Sequence, residues 1–269
     1  MPQDEAEQTE LMSQEKAEQT ILEALNMLNG VRSASPEYEG KVRERVAEWA
    51  DNWKLPESMY VPNEQLLSRI ADYERWCELK QGEDRGKLME EIALLAFLCL
   101  RGWDSIKSYT SYAQQHDLVI SGSGAEWVFL NDYLHLKKSG RTIVVEAKNQ
   151  EESVSEPQFS RLCYIVDKKF QDTCFLGVFV SRTSATGFSR TKSLMASRAT
   201  QIVFHAKTGK YVVLLDHEDI KQLKNKGALL KLLEVKIKDV EAAAGLSLDF
   251  DDSSWIEVDL PPHLSKYIQ

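Results

Sequence analysis

The feature that most constrains the fold is a run of nine consecutive apolar residues, 92–100, reading Ile-Ala-Leu-Leu-Ala-Phe-Leu-Cys-Leu. A helix carrying such a run is apolar nearly all round, so it must be covered on several sides. The run is well short of the ~20 residues that cross a bilayer. A helix over about 83–100 is therefore expected at the centre of a layered domain. Glu90 and Glu91 stand where the apolar run begins. A carboxylate entering a packed interior is costly unless it is paired, protonated or bound to a cation. If exposed, the pair instead favours the N-terminal half of the helix through its macrodipole.

The second constraint is the stretch Thr142-Ile143-Val144-Val145-Glu146-Ala147-Lys148-Asn149, β-branched and apolar until it ends in a carboxylate and an ammonium two residues apart. Alternate residues of a strand share a face. Glu146 and Lys148 are thus expected to point the same way, with Ala147 facing the other side and its carbonyl near the carboxylate. A continuous apolar run at 175–180 is short enough to be a buried strand.

Around these runs, alternation predicts strands over 105–112, around 118–120 and over 127–136, with turns at 121–124 and 138–141. Short connections between them imply an antiparallel meander. Pro157 opens a helix to Phe170 whose apolar face is Phe159, Leu162, Cys163, Val166 and Phe170. A further helix is expected over 188–199, strands over 201–204 and 211–215, and a long helix capped by Asp216 and running toward Ala244. The expected fold class is α/β: a mixed β-sheet flanked by helices, preceded by an N-terminal helical region.

That N-terminal region reads as three helices, over 4–29, 38–53 and 63–80, the last with Asn63 as N-cap and Leu66, Leu67, Ile70, Tyr73 and Cys77 as its stripe. Trp49, Trp53, Tyr73 and Trp76 are read as core rather than a ligand surface. The expected divisions are 1–82, a region for regulation, oligomerisation or partner binding; 83–225, the working core; and 226–269, a C-terminal helix and acidic tail.

The net charge of −9 at first argues against nucleic acid, but its distribution matters more. Residues 1–85 carry 19 acidic and 10 basic groups, residues 86–225 carry 15 and 18, and residues 226–269 carry 8 and 5. The acid lies in the flanks, and the middle can host a basic surface. Cys77, Cys99, Cys163 and Cys174 show no CxxC spacing and sit mostly in apolar runs, so buried free thiols are expected. The five histidines form no HxH or HxxxH pair, which disfavours zinc. With no signal-like or spanning segment, the chain is expected to be cytoplasmic, with no membrane partner.

The chemistry-bearing residues are Glu90 or Glu91 on the core helix, Asp117 at a strand start, and Glu146 with Lys148. Three converging carboxylates repel, and a hard divalent cation such as Mg²⁺ resolves the repulsion. Such a site suits phosphodiester hydrolysis, with Lys148 orienting the nucleophile or stabilising the transition state.

Asp117, the Glu146-Ala147-Lys148 triplet, the helix glutamate and the order of elements resemble the PD-(D/E)XK nuclease superfamily, in particular its restriction-endonuclease-like and Mrr-like branches. The resemblance covers about 83–225. It departs from the pattern in having His116 where the family name has proline, and 28 residues between Asp117 and Glu146. It implies a restriction-endonuclease-like fold, with Glu90, Asp117, Glu146 and the Ala147 carbonyl as metal ligands, Mg²⁺ as cofactor and Mn²⁺ as substitute. It also implies Asp117, Glu146, Lys148 and Glu90 as the catalytic set. Glu91 and Gln158 are lesser candidates. Arg161, Lys168, Lys169, Arg182, Arg190, Lys192 and Arg198 are candidate phosphate contacts.

The expected function is a DNA endonuclease in a bacterial genome-defence setting. It is expected to be a homodimer or higher oligomer, with a possible partner protein on the N-terminal helices. The alternatives are an RNA or branched-DNA nuclease using the same site, or an inactive nuclease fold that binds nucleic acid or protein.

Overall fold

The computed structural model describes residues 55–79, 85–110, 116–137, 139–148, 152–188 and 197–245. The helices expected over 4–29 and 38–53, with Trp49 and Trp53, lie outside the described residues, as does the acidic tail.

The elements are α1 (Leu55–Met59), α2 (Glu64–Leu79), α3 (Arg85–Leu98), β1 (Trp103–Thr110), β2 (His116–Gly122), α4 (Ala125–Tyr133), β3 (Thr142–Lys148), α5 (Glu156–Tyr164), β4 (Cys174–Ser181), α6 (Ser197–Thr208), β5 (Tyr211–Leu215), α7 (His217–Gln222) and α8 (Ala228–Ala243). The five strands form one mixed sheet in the order β1-β2-β3-β4-β5. The first three pair antiparallel, and β3, β4 and β5 pair parallel. The fold is α/β, a five-stranded mixed sheet flanked by helices. No helix among the described residues is long and apolar enough to cross a membrane.

Each face of the sheet carries its own core. Ile143, Val145, Val178 and Val213 face a large cluster with Met89, Ile92, Ala96 and Phe97 of α3. Val144, Phe179, Val212 and Leu214 face Phe159, Leu162 and Val166 of α5 and its continuation. Adjacent strand residues thus go to opposite layers, which is why β3, β4 and β5 read as unbroken apolar runs. The first face also takes Leu66, Ile70, Tyr73 and Trp76 of α2 and Leu230, Leu233 and Ile237 of α8, so segments from both flanks share one core with the sheet. The Tyr60 hydroxyl donates to the Leu223 carbonyl at 2.7 Å, tying those flanks together.

Several expectations hold in detail. The Leu66 amide donates to Asn63 Oδ1 at 2.9 Å, the N-cap of α2. Leu67, expected in the same stripe, is exposed, because one residue along a helix is a 100° turn away from Leu66. Cys99, Cys163 and Cys174 are buried free thiols and Cys77 is partly so. Burial pushes the Cys163 and Cys174 thiols up to about 12, far from a reactive thiolate at neutral pH.

Four expectations are corrected. The strand expected over 127–136 is helix α4, with Trp127, Phe129, Leu130 and Asn131 buried. Trp127, Leu130 and Leu134 follow the i, i+3, i+7 spacing of a helix, and this outweighed the local alternation. The meander is therefore interrupted, and α4 joins β2 to β3 although the two strands are direct partners. Residues 201–204, expected as a strand, lie inside α6, where Gln201 and His205 are buried one turn apart and Val203 is exposed. The single helix expected from Asp216 is two: Asp216 caps α7, accepting from the Glu218 and Asp219 amides, and Gly227 with φ of 75° opens α8. That left-handed value interrupts the helix and favours glycine.

Candidate active site

Strand pairing assembles the site at the end of the sheet where β3 and β4 terminate. In the antiparallel β2–β3 ladder Asp117 is the direct partner of Glu146, and in the parallel β3–β4 ladder Lys148 is aligned with Ser181. Asp117 and the Glu-x-Lys triplet, with 28 residues between them in the chain, are thus brought together by strand register. The side chain of Asp117 is outside the described set.

Glu146 is only 1% exposed. Its Oε1 lies 2.9 Å from Lys148 Nζ and its Oε2 lies 2.9 Å from Nη2 of Arg161 on α5. Lys148 and Arg161 are themselves largely covered, at 13% and 25% exposure. Both contacts are close ion pairs. The triad carries a net charge of +1. Leaving Glu146 buried without these cations would incur the desolvation penalty of a lone carboxylate.

The local sequence explains how Arg161 arrives there. Ser155 precedes α5, and Gln158 Oε1 accepts from the Ser155 amide at 2.8 Å and its hydroxyl at 3.0 Å, fixing the first turn. Phe159 stacks on Phe179, the β4 neighbour of Glu146, with ring centroids 5.4 Å apart. Gly177 lets the helix approach the sheet, since a Cβ there would stand 2.9 Å from Val166. Gln158, a lesser candidate for the chemistry, is engaged in this cap.

Glu90 and Glu91 are placed differently. Both are exposed, while Met89, Ile92 and Ala93 take the buried positions of α3. With Lys87, Ser108, Leu118 and Ala147 they line a pocket of about 310 Å³. Leu118 and Ala147 belong to the α3 face of the sheet, whereas Glu146 meets α5 on the other. The sheet therefore separates the expected side-chain ligands: Glu90 on one side, Glu146 with Lys148 on the other. Glu91 pairs with Arg69 at 2.9 Å.

The candidate phosphate contacts disperse as well. Lys168 and Lys169 follow α5 just before β4 begins, at the opposite end of the sheet from Lys148. Arg182 follows β4, its amide donating to the Lys148 carbonyl at 3.3 Å, but its guanidinium stacks 4.9 Å over Trp76 on the α3 face. Arg198 pairs with Asp239 at 2.7 Å and lies over Phe188, stapling α6 to α8. Arg190 and Lys192 lie outside the described residues. Of the group, Arg161 reaches Glu146. Sequence reasoning had it only as a phosphate contact, because nothing in residues 15 apart reveals a partner across two layers.

Fit to a hard divalent cation is partial. Glu146 offers two buried oxygens that no donor saturates, and Asp117 is its ladder partner. Among the described side chains no group of three His, Cys, Asp or Glu is close enough to hold a metal. Each of those oxygens already faces a cation, Lys148 or Arg161.

These features define an α/β protein with an acidic and cationic cluster at the open end of a mixed sheet. No family model, curated protein or solved structure matches the chain.

Proposed function

We propose that the protein is a metal-dependent phosphodiesterase of the PD-(D/E)XK type, with a restriction-endonuclease-like core, that cleaves DNA internally. The observation that carries this reading is the β2–β3 register, which sets Asp117 opposite Glu146 with Lys148 at 2.9 Å beside it. The element order around that ladder, a buried helix, antiparallel strands and then a helix leading to a parallel strand, supports it. Glu146 and Asp117 would hold a Mg²⁺ ion, which supplies Lewis acidity toward the scissile phosphate and acidifies water. Glu146 orients Lys148 through their ion pair. The Lys148 ammonium, in a site sheltered from solvent, stabilises the charge that develops on the phosphoryl oxygens. A dimer would present two such sites to the two strands of a duplex, and a bacterial genome-defence role accords with that activity.

A second reading has its own support: Glu146 is already neutralised twice, as in a static ion cluster of an inactive, nucleic-acid-binding fold. Incubating the full chain with plasmid DNA, single-stranded DNA and RNA, with Mg²⁺ or with EDTA, separates the two. Mg²⁺-dependent breakage of DNA, lost on Asp117→Ala, is the expected result. RNA breakage alone would change the substrate, and binding without any breakage would favour the second reading.

A further inference from the structure

β1 is the outermost strand on its side of the sheet, and among the described residues β2 is its only strand partner. An edge strand of eight residues presents a row of outward N–H and C=O groups, a template that proteins normally cover or blunt. Trp103, Asp104, Lys107 and Ser108 are exposed, so the edge is open along most of its described length. Its two faces differ. Ile106 packs against the α3-side core, and Ser108 lines the pocket with Leu94 and Leu118. Lys107 belongs to the other face, where its ladder partner Val119 joins the α5-side core. Lys107 has no ion-pair partner among the described residues.

A strand that completes this edge must therefore be apolar on one face and acidic on the other. Residues 255–260 read Trp-Ile-Glu-Val-Asp-Leu, with Ile256, Val258 and Leu260 alternating with Glu257 and Asp259. Pro261-Pro262 then halts any further ladder pairing. We propose that residues 255–260 pair with the outer edge of β1 of the same chain as a sixth strand. Ile256, Val258 and Leu260 extend the Ile106 face, and Glu257 and Asp259 lie beside Lys107. A slip of one residue would turn the two carboxylates toward Glu90 and Glu91, which border the pocket on the Ile106 side, and is disfavoured by like charge.

The connection is long enough. α8 leads to this segment, and the Tyr211 hydroxyl donates to Glu241 in its last turn at 2.6 Å, which holds that end of the helix at the start of β5. β1 and β5 run in the same direction, so the start of β1 is at the same end of the sheet. Four strand spacings put β1 about 19 Å from β5. Residues 246–254 reach about 30 Å when extended. The pairing is independent of the chemistry at Glu146.

The test is hydrogen–deuterium exchange of the full chain, read at the amides of residues 103–110 with β4 as internal reference. Val258→Pro removes a ladder donor, and Ile256→Asp places a charge on the apolar face. Each should speed exchange of the outward β1 amides by at least ~10-fold and leave β4 unchanged. Lys107→Glu should do the same, and adding Glu257→Lys with Asp259→Lys should restore protection, a rescue that no purely local role of Lys107 would give. Equal β1 exchange in wild type and in Val258→Pro overturns the proposal, as does charge reversal without rescue. Protection should not depend on protein concentration. Protection that rises with concentration assigns the edge to a second copy and overturns pairing within one chain.

Discussion

Replacing Glu146 by alanine is expected to destabilise the protein by about 3–5 kcal/mol, the scale for breaking a buried ion pair from one side. The side chain is 1% exposed and engages two cations at 2.9 Å each. Its removal leaves Lys148 and Arg161 as like charges in a poorly solvated site, with a cavity where the carboxylate stood. The companion experiment removes all three charges together, as Glu146→Leu with Lys148→Met and Arg161→Met. That variant should recover most of the lost stability, since replacing a buried ionic cluster by apolar residues of similar volume is commonly neutral or stabilising by about 1–4 kcal/mol. Urea unfolding of the three proteins reads both effects. A loss below ~1 kcal/mol for the alanine variant would mean that the triad is solvated, contrary to the geometry described. The triple variant should have no cleavage activity whatever its stability, which separates what the cluster does for the fold from what it does for the reaction.

The second large effect is expected at Trp127. The indole is 1% exposed, and its Nε1 donates to the Gly140 carbonyl at 3.0 Å. It lies against bare backbone at Gly122, where an added Cβ would stand 2.3 Å from the ring. Trp127→Ala should cost about 3–5 kcal/mol, the range for truncating a large buried aromatic, and lower Tm by roughly 6–20 °C for a chain of this size. Trp127→Phe should cost only ~1–2 kcal/mol, since most of the volume stays and Asn131 Nδ2 still donates to Gly140 at 2.6 Å. Thermal unfolding distinguishes these outcomes. Equal losses in the two variants would show that the hydrogen bond, not the packing, is what the tryptophan contributes. Because α4 links β2 to β3, the alanine variant also tests whether the connection maintains the register that pairs Asp117 with Glu146.

The parts of the fold that were legible in the chain are those where one periodicity had no rival. Residues 143–145 and 175–180 are apolar on both faces and too short for a helix, so they read as buried strands. Residues 92–98 are apolar all round and long enough for a helix between two layers. The misreadings fall where two periods coexist. Trp127-Val128-Phe129-Leu130 is consistent with either a strand or a helix, and the choice is made by Gly122 and Gly140, contacts distant in sequence. Gln201-Ile202-Val203-Phe204 is β-branched and strand-like by composition. Gln201 nonetheless donates to the Val212 carbonyl at 2.6 Å from within a helix, an interaction that only the packed α6–β5 pair reveals.

The candidate site was legible in the same uneven way. The shared face of the Glu-x-Lys pair could be read because strand alternation is a local rule, whereas the register that makes Asp117 the direct partner of Glu146 emerged only once 125–133 proved to be helix. Glu90 could not be placed, because its side of the sheet depends on which face α3 packs against, and that is set by Met89, Ile92, Ala96 and Phe97 meeting Ile143 and Val145, contacts distant in sequence. Arg161 was invisible as a partner for Glu146 for the same kind of reason: the pairing is made by Phe159 stacking on Phe179, a contact between layers.

The central claim is that the Glu146–Lys148 pair opposite Asp117 carries out phosphodiester hydrolysis. Lys148→Met tests it most directly, because the substitution preserves side-chain length and leaves Arg161 to neutralise Glu146. Initial rates of plasmid DNA nicking should be measured with Mg²⁺ on wild type and variant, with unfolding curves confirming that both are folded. A fall of at least ~10²–10³-fold in the variant is the predicted result, the scale for losing one transition-state cation or donor. An unchanged rate in a folded Lys148→Met protein would contradict the account.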